Sequence, residues 1–172
     1  QRQCGIDYGF CGNVKQKQED FCDYPSIDLD AETRNNLAEV MPSVSAGSCL
    51  ERHEWHKHGT CQANWSVQQY YGLSADLVRQ FNDSGMAYFM NRRIGKVVRT
   101  EDFMNRLAAV LGEATRNRIK LICKQDMLVE VQLMLAASLT ANQDLEILIA
   151  AAPAQTGTEC GASFRVDAIG QN

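Results

Sequence analysis

All three histidines of the chain fall within one short run, His53-Glu54-Trp55-His56-Lys57-His58-Gly59-Thr60-Cys61. On a helix, Glu54 and His58 stand four residues apart and share a face, and His53 and Lys57 do the same on the adjoining strip. His56 and Trp55 are rotated off that arc. A carboxylate, an ammonium and two imidazoles then converge on one small surface. An imidazole near its ordinary pKa removes a proton at mild pH. A lysine and a second imidazole hold a phosphate and stabilise the negative charge that builds on its oxygens. The carboxylate orients the imidazole or exchanges protons with a phosphoryl oxygen. Such a set suits RNA cleavage, in which the ribose 2′-hydroxyl is the nucleophile and neither a metal nor a cofactor is required.

Two plainer readings compete. A lone histidine on a helix is more often structural than catalytic, but three interleaved with Glu and Lys weigh against that. The zinc protease pattern H-E-x-x-H needs a histidine at position 57, where Lys57 stands. Cys49 and Cys61 flank the run and, with His53 or His58, would be the ligands of a zinc site. The other cysteines argue instead for oxidation, which would place both thiolates in disulfides.

The rest of the chain must position that run. A length of 172 residues suits one domain with a real core, here read as 1–172. A formal charge of −4 does not suggest a protein that coats nucleic acid, yet allows an enzyme that meets RNA through a local cluster of cations. No apolar run reaches the ~18 residues that span a bilayer. The longest apolar-rich stretches, 127–139 and 145–154, read as core. Cysteines at positions 4, 11, 22, 49, 61, 123 and 160, with no repeated CxxC pair, form a disulfide framework and point to an oxidising compartment. Seven is odd, so at least one has no partner within the chain.

Residues 1–29 lack periodicity and read as a disulfide-pinned loop region. Asp30 to Met41 predicts a helix ended by Pro42, and 42–48 a small-residue loop. Leu50 to Gly59 predicts a short helix stopped at its glycine. Ser66 with Gln69 is a capping-box pair opening a helix to about Phe81, with Tyr70, Leu73, Leu77 and Phe81 on its apolar side. Thr100 opens another, with Phe103, Leu107, Val110 and Leu111 inward. Strands are predicted at 119–123, at 128–133, where alternation gives a half-buried face, and at 162–168. Helices first and strands later imply an α+β fold with a largely antiparallel sheet.

The run H-E-W-H-K-H-G-T-C resembles the second active-site motif of the ribonuclease T2 family, H-E-W-x-K-H-G-T-C, at every fixed position. Glu39-Val40-Met41-Pro42, Ser48-Cys49-Leu50-Glu51-Arg52 and the final Cys160-Gly161-x-x-Phe164 look especially similar to its bacterial periplasmic branch. Glu51 stands where eukaryotic relatives often carry an aromatic. The resemblance implies an α+β, metal-independent endoribonuclease, periplasmic or secreted, that cuts single-stranded RNA to 2′,3′-cyclic phosphate and then 3′-phosphate ends. It makes His58 the general base, Glu54 and Lys57 the stabilisers of the phosphorane, and His53 a phosphate-binding, substrate-contacting residue. It also implies bridges Cys22–Cys61 and Cys123–Cys160, with Cys4–Cys11 as a local bridge and Cys49 left over.

One departure stands out. The family's first motif, H-G-L-W-P, supplies the general-acid histidine, and this sequence contains no such string and no histidine outside 53–58. The expectation is that the chain begins just after that motif, and that a separate N-terminal segment, linked to Cys49, exists. The alternative function is a catalytically impaired fragment or relative that binds RNA or a partner without cutting. Trp55 is expected to anchor the helix in the core. Trp65 and Tyr70-Tyr71 are weighed as a nucleotide pocket against helix packing. Arg92-Arg93, Lys96 and Arg99, the densest basic patch, are weighed as an RNA track against a solvated surface.

Overall fold

A computed structural model describes residues 9–138 and 143–167. It divides into two compact units, one ending at Val78 and the next starting at Arg79.

In the first unit, Asp20 opens a single 3-10 turn at Phe21–Asp23 by accepting from the Cys22 backbone N–H at 2.8 Å. Helix α1, Ala31–Val40, starts on Asp30, whose carboxylate accepts from the Thr33 N–H at 2.7 Å. The predicted loop at 42–48 instead begins with a one-turn helix, α2, Pro42–Ser45. Proline at the first helical position loses no hydrogen bond, so Pro42 ends one helix and starts the next. Helix α3, Leu50–Lys57, follows Cys49 in a left-handed conformation at φ 56°. Helix α4, Val67–Phe81, opens on the expected box: Ser66 N–H to Gln69 at 2.9 Å and Gln69 N–H to the Ser66 hydroxyl at 3.3 Å.

The buried side of α4 is not the predicted one. Tyr71 and Ala75 are sealed, while Tyr70, Leu73, Leu77 and Phe81 are half-buried. Tyr71 wins because its hydroxyl donates to the Glu51 backbone carbonyl on α3 while its ring packs with Leu29 and Leu37. Ile27, Val40, Met41, Val44, Trp55, Val67 and Tyr70 close around that cluster.

The second unit holds α5 (Ala87–Asn91), β1 (Val97–Arg99), α6 (Thr100–Leu111), β2 (Ile119–Lys124), β3 (Met127–Leu133), α7 (Leu145–Ala150), β4 (Gly157–Thr158) and β5 (Ser163–Arg165). The strands form one mixed sheet in the order β1-β5-β3-β2-β4. Its longest pairing, β2–β3, is antiparallel, as is β1–β5; β2–β4 and β3–β5 are short parallel contacts. Gln125 and Asp126, at φ 49° and 62°, make the two-residue hairpin turn whose twist matches the strands. Helices beside one predominantly antiparallel sheet give an α+β fold.

Phe103, Leu107 and Leu111 of α6 are buried as expected, and Ala108 takes the inward place predicted for Val110. Phe103 meets Phe89 and Phe164 edge-on. Leu145, Leu148, Ile149 and Ala152 are core, as the 145–154 stretch predicts. The half-buried face predicted for β3 forms only in part: Leu128, Val131 and Leu133 are half-buried, but Val129 is 50% exposed. Ile122 pairs with Glu130 and Cys123 with Leu128, so Val129 is an extra residue that breaks the alternation. The last predicted strand reaches residue 168, which lies outside the described residues.

The disulfides correct the expected framework. Cys123–Cys160 forms as expected, but Cys11 bonds Cys61 and Cys22 bonds Cys49. The expected Cys22–Cys61 bridge does not form because Cys22 lies at the start of α3, where Arg52 binds its carbonyl, and the eight residues of that helix hold its far end about 12 Å away, beyond the reach of one disulfide. Cys22 sits beside the start of α3, so it takes Cys49. Cys11 is therefore not available to Cys4, which lies outside the described residues, and Cys49 is not left over to hold a separate N-terminal segment. Three bridges closing separations of 50, 27 and 37 residues each contribute about 4 kcal/mol in the chain-entropy picture. They fit a protein outside the reducing cytoplasm. Among the described residues, no helix is long and apolar enough to cross a membrane.

Candidate active site

The second half of the motif run turns out to be a clamp. The chain leaves α3 through His58 into a 3-10 turn, Gly59–Cys61. A Cβ at Gly59 would collide with the Trp55 ring, so only glycine lets the turn lie against it. Thr60 donates its hydroxyl to the His56 carbonyl at 2.9 Å and accepts from the Gly12 N–H at 3.1 Å. Phe10 N–H reaches the Lys57 carbonyl at 2.9 Å, and Cys61 completes the seam through its bond to Cys11. Segment 10–12 is thereby fastened to the C-terminal end of α3.

On the outer face, His58 Nε2 lies 3.8 Å from the Glu54 carboxylate, with the two side chains 46% and 36% exposed. That is one helical turn bringing an acid and an imidazole together, open to solvent, as the four-residue spacing predicts. Lys57 is half-buried beside them. The charges of Glu54, Lys57 and His58 all act on the His53 ring.

His53 itself takes a different position from its neighbours. It is 5% exposed. Its Nδ1 is 2.9 Å from the Tyr24 hydroxyl, and its ring stacks on Phe21 at 4.7 Å with Tyr24 and Phe10 edge-on. Burial in this aromatic cage holds the imidazole below its ordinary pKa; Glu54 opposes the shift, and Lys57, His58 and Lys17 add to it. His53 thus stands under the outer face rather than on it. His56 points away, as predicted, with Nε2 3.0 Å from the Pro25 carbonyl and its ring stacked on Tyr24.

Trp55 packs into the first unit's core and meets Tyr70 edge-on at 5.5 Å, which fits an anchor. The aromatic pocket does not form from Tyr71, which is 3% exposed with its hydroxyl bonded inward. Burial raises the phenol pKa of both Tyr70 and Tyr71, and Glu54 adds to each shift. Trp65 is half-buried, its backbone held by Gln62. Sequence reasoning missed Tyr24, Phe21, Phe10 and Lys17, all brought to the run by loop residues 9–24, where no periodicity marks them. It also gave Glu51 no role; the residue is 5% exposed, with one carboxylate oxygen lacking a partner among the described residues. No group of three or more His, Cys, Asp or Glu stands ready to hold a metal among the described residues, and Cys49 and Cys61 are both oxidised.

The model of the Ribonuclease T2 family matches residues 8–149. Ribonuclease I of Escherichia coli (strain K12) is 31% identical over 156 residues, covering 87% of this chain and 55% of that protein. The chain therefore spans about half the length of the curated relative it matches. With the motif run intact and the match extending over most of its length, the chain belongs to the Ribonuclease T2 family.

Proposed function

We propose that the protein is a metal-independent endoribonuclease that cuts single-stranded RNA by transesterification and works outside the cytoplasm, in the periplasm or secreted. The exposed Glu54–His58 pair, 3.8 Å apart beside Lys57, carries this reading. His58 takes the proton of the ribose 2′-hydroxyl, and O2′ attacks phosphorus while the P–O5′ bond breaks and the departing 5′-oxygen takes a proton from water. Glu54 and the Lys57 ammonium stabilise the charge on the pentacoordinate phosphorus. A cyclic 2′,3′-phosphate results, and water later opens it to a 3′-phosphate. His53, under the face, supports the phosphate site. The whole chain acts as one ribonuclease-like domain, for which a single calorimetric unfolding transition is the expected signature.

A second reading, RNA binding without cutting, draws on one observation. His53 is caged and His56 is engaged with Pro25, so His58 supplies the open imidazole of the run. Protonation of the departing 5′-oxygen then needs an acid other than a second open histidine.

The test is RNA incubated with the protein in EDTA, with the ends analysed chemically. Cyclic-phosphate ends that vanish with His58→Ala and with 2′-O-methyl substrate support cleavage. Cleavage that needs added metal, leaves 5′-phosphates or survives His58→Ala overturns it. RNA bound and left intact favours the second reading.

A further inference from the structure

The second unit carries a basic surface that the proposed reaction does not use. From Ala87 to Thr100 there is no acidic residue, although the protein as a whole has a net charge of −4. Arg92, Arg93, Lys96 and Arg99 all fall in that stretch. Tyr88 on α5 is 65% exposed, with the Arg92 guanidinium 5.7 Å from its ring centroid and 3.3 Å from its hydroxyl. Arg93 lies 3.6 Å over the Phe89 ring and bonds the Phe89 carbonyl at 3.0 Å. Lys96 Nζ bonds the Arg92 carbonyl at 3.1 Å. Arg165 joins them from β5, paired with Val97 and 3.5 Å from the Gly95 carbonyl.

Arg99 is the exception, since Asp102 grips it at 2.6 Å and cancels its charge. The hydrogen-bond and ring partners of the other four cations are carbonyls, rings and a hydroxyl; Asp102 feels the charge of Arg93 as well, but none of the four forms an ion pair with a carboxylate among the described residues. Their side chains are nonetheless held in place, which lowers the entropy lost when an anion arrives.

We propose that Tyr88, Arg92, Arg93, Lys96 and Arg165 form a holding site for single-stranded RNA in the second unit. Phosphates lie along the cations and a base stacks on the exposed Tyr88 ring. Solvent-open aromatics beside guanidinium groups are the combination that binds unpaired strands without reading sequence. The choice of RNA rests on the proposed function; the site's chemistry requires only an unpaired polyanion with planar bases.

The test is fluorescence anisotropy with a labelled 2′-O-methyl oligonucleotide of about a dozen residues, titrated across salt with the full chain. Neutralising Arg92, Arg93 and Lys96 together (to Gln) should lower affinity and take about 2 off the log–log salt slope, at ~0.7 per phosphate contact. Tyr88→Ser, which leaves every charge in place, should weaken binding roughly tenfold. Cleavage of a dinucleotide should match the parent in both variants, and Lys124→Gln, on the same unit, should bind as the parent does. Affinity and slope within twofold of the parent for both variants overturn the site. So does loss of binding to anionic phospholipid vesicles with no change for the oligonucleotide. If no form of the chain cuts RNA while oligonucleotide binding responds as described, the proposed function falls and the holding site stands.

Discussion

Replacing Gly59 by alanine isolates one packing contact at the candidate active site. Gly59 has no positive φ, so alanine adopts its backbone without strain. The added methyl, however, would stand 2.8 Å from Trp55 Cζ3 and 2.9 Å from Cδ2, well inside contact distance. The ring has little room to retreat, because Tyr70 braces it edge-on and the Leu29–Leu37–Tyr71 cluster backs it. Overpacking of this kind costs about 1–3 kcal/mol. For a chain of 172 residues each kcal/mol moves Tm by roughly 2–4 °C, so a fall of roughly 2–12 °C is expected.

Circular-dichroism melts of Gly59→Ala, Trp55→Leu and the double variant measure it. Leucine deletes the ring atoms that the methyl would strike, so the double variant should lose at least ~1 kcal/mol less than the sum of the two single changes. A Gly59→Ala melt within about 1 °C of the parent, or strict additivity, refutes the reasoning.

Three further outcomes are expected. His53, held below its ordinary value of 6.5 by burial, contributes stability fully above that pH, and this is lost as pH falls through the lowered folded-state pKa, because the unfolded chain takes the proton first. Chemical denaturation between pH 7 and 5 should show that acid-side loss shrinking in His53→Gln, and an unchanged loss counts against the cage. Peptide mapping without reduction should recover Cys11 with Cys61 and Cys22 with Cys49, and replacing Cys11 and Cys61 together by serine should cost about 4 kcal/mol in denaturant titrations, for a separation of 50 residues. Lys57→Ala should lower kcat by roughly 10²-fold with KM nearly unchanged if the ammonium acts on the developing charge, and a rise confined to KM assigns it to ground-state binding.

Local signals read well from the sequence and distant pairings did not. The capping box at Ser66–Gln69, the stop at Pro42, the α6 positions Phe103, Leu107 and Leu111 and the Glu54–His58 face follow from spacing within one turn or two. What failed depends on partners far along the chain. Tyr71 rather than Tyr70 is sealed because a carbonyl on α3 takes its hydroxyl, which no α4 periodicity encodes. Val129 disrupts β3 because of register against β2. The β2–β3 turn uses Gln125-Asp126, which lacks the glycine that usually marks such a turn. Cys123–Cys160 was legible from the resemblance, but Cys22–Cys61 went wrong because that pairing ignored the length of α3, whose two ends each hold a different cysteine of the preceding loop. The His53 cage was hidden for the same reason, as Phe10, Phe21 and Tyr24 reach the motif from an aperiodic loop.

These failures share a consequence for the site. Of the nine residues in the motif run, Glu54 and His58 meet on the outer face, while most of the others bind neighbouring chain: His53 to Tyr24, His56 to Pro25, Thr60 to Gly12, Cys61 to Cys11 and Trp55 to the core. The run is therefore as much a fastening for segments 10–12 and 21–25 as it is a set of reactive groups. The 3.8 Å between Glu54 and His58 is about 1 Å longer than a charge-assisted hydrogen bond, so the proposed mechanism requires the pair to tighten when substrate binds. Displacements of ~1 Å at reacting groups cost on the order of 10²-fold in rate. On the proposed mechanism, a change at Thr60 or Trp55 thus reduces activity as deeply as a change at Lys57 without either residue touching RNA. Loss of rate alone does not identify a catalyst here; the discriminating measurement is whether rate falls with Tm, as a fastening residue requires, or at constant Tm, as a reacting group does.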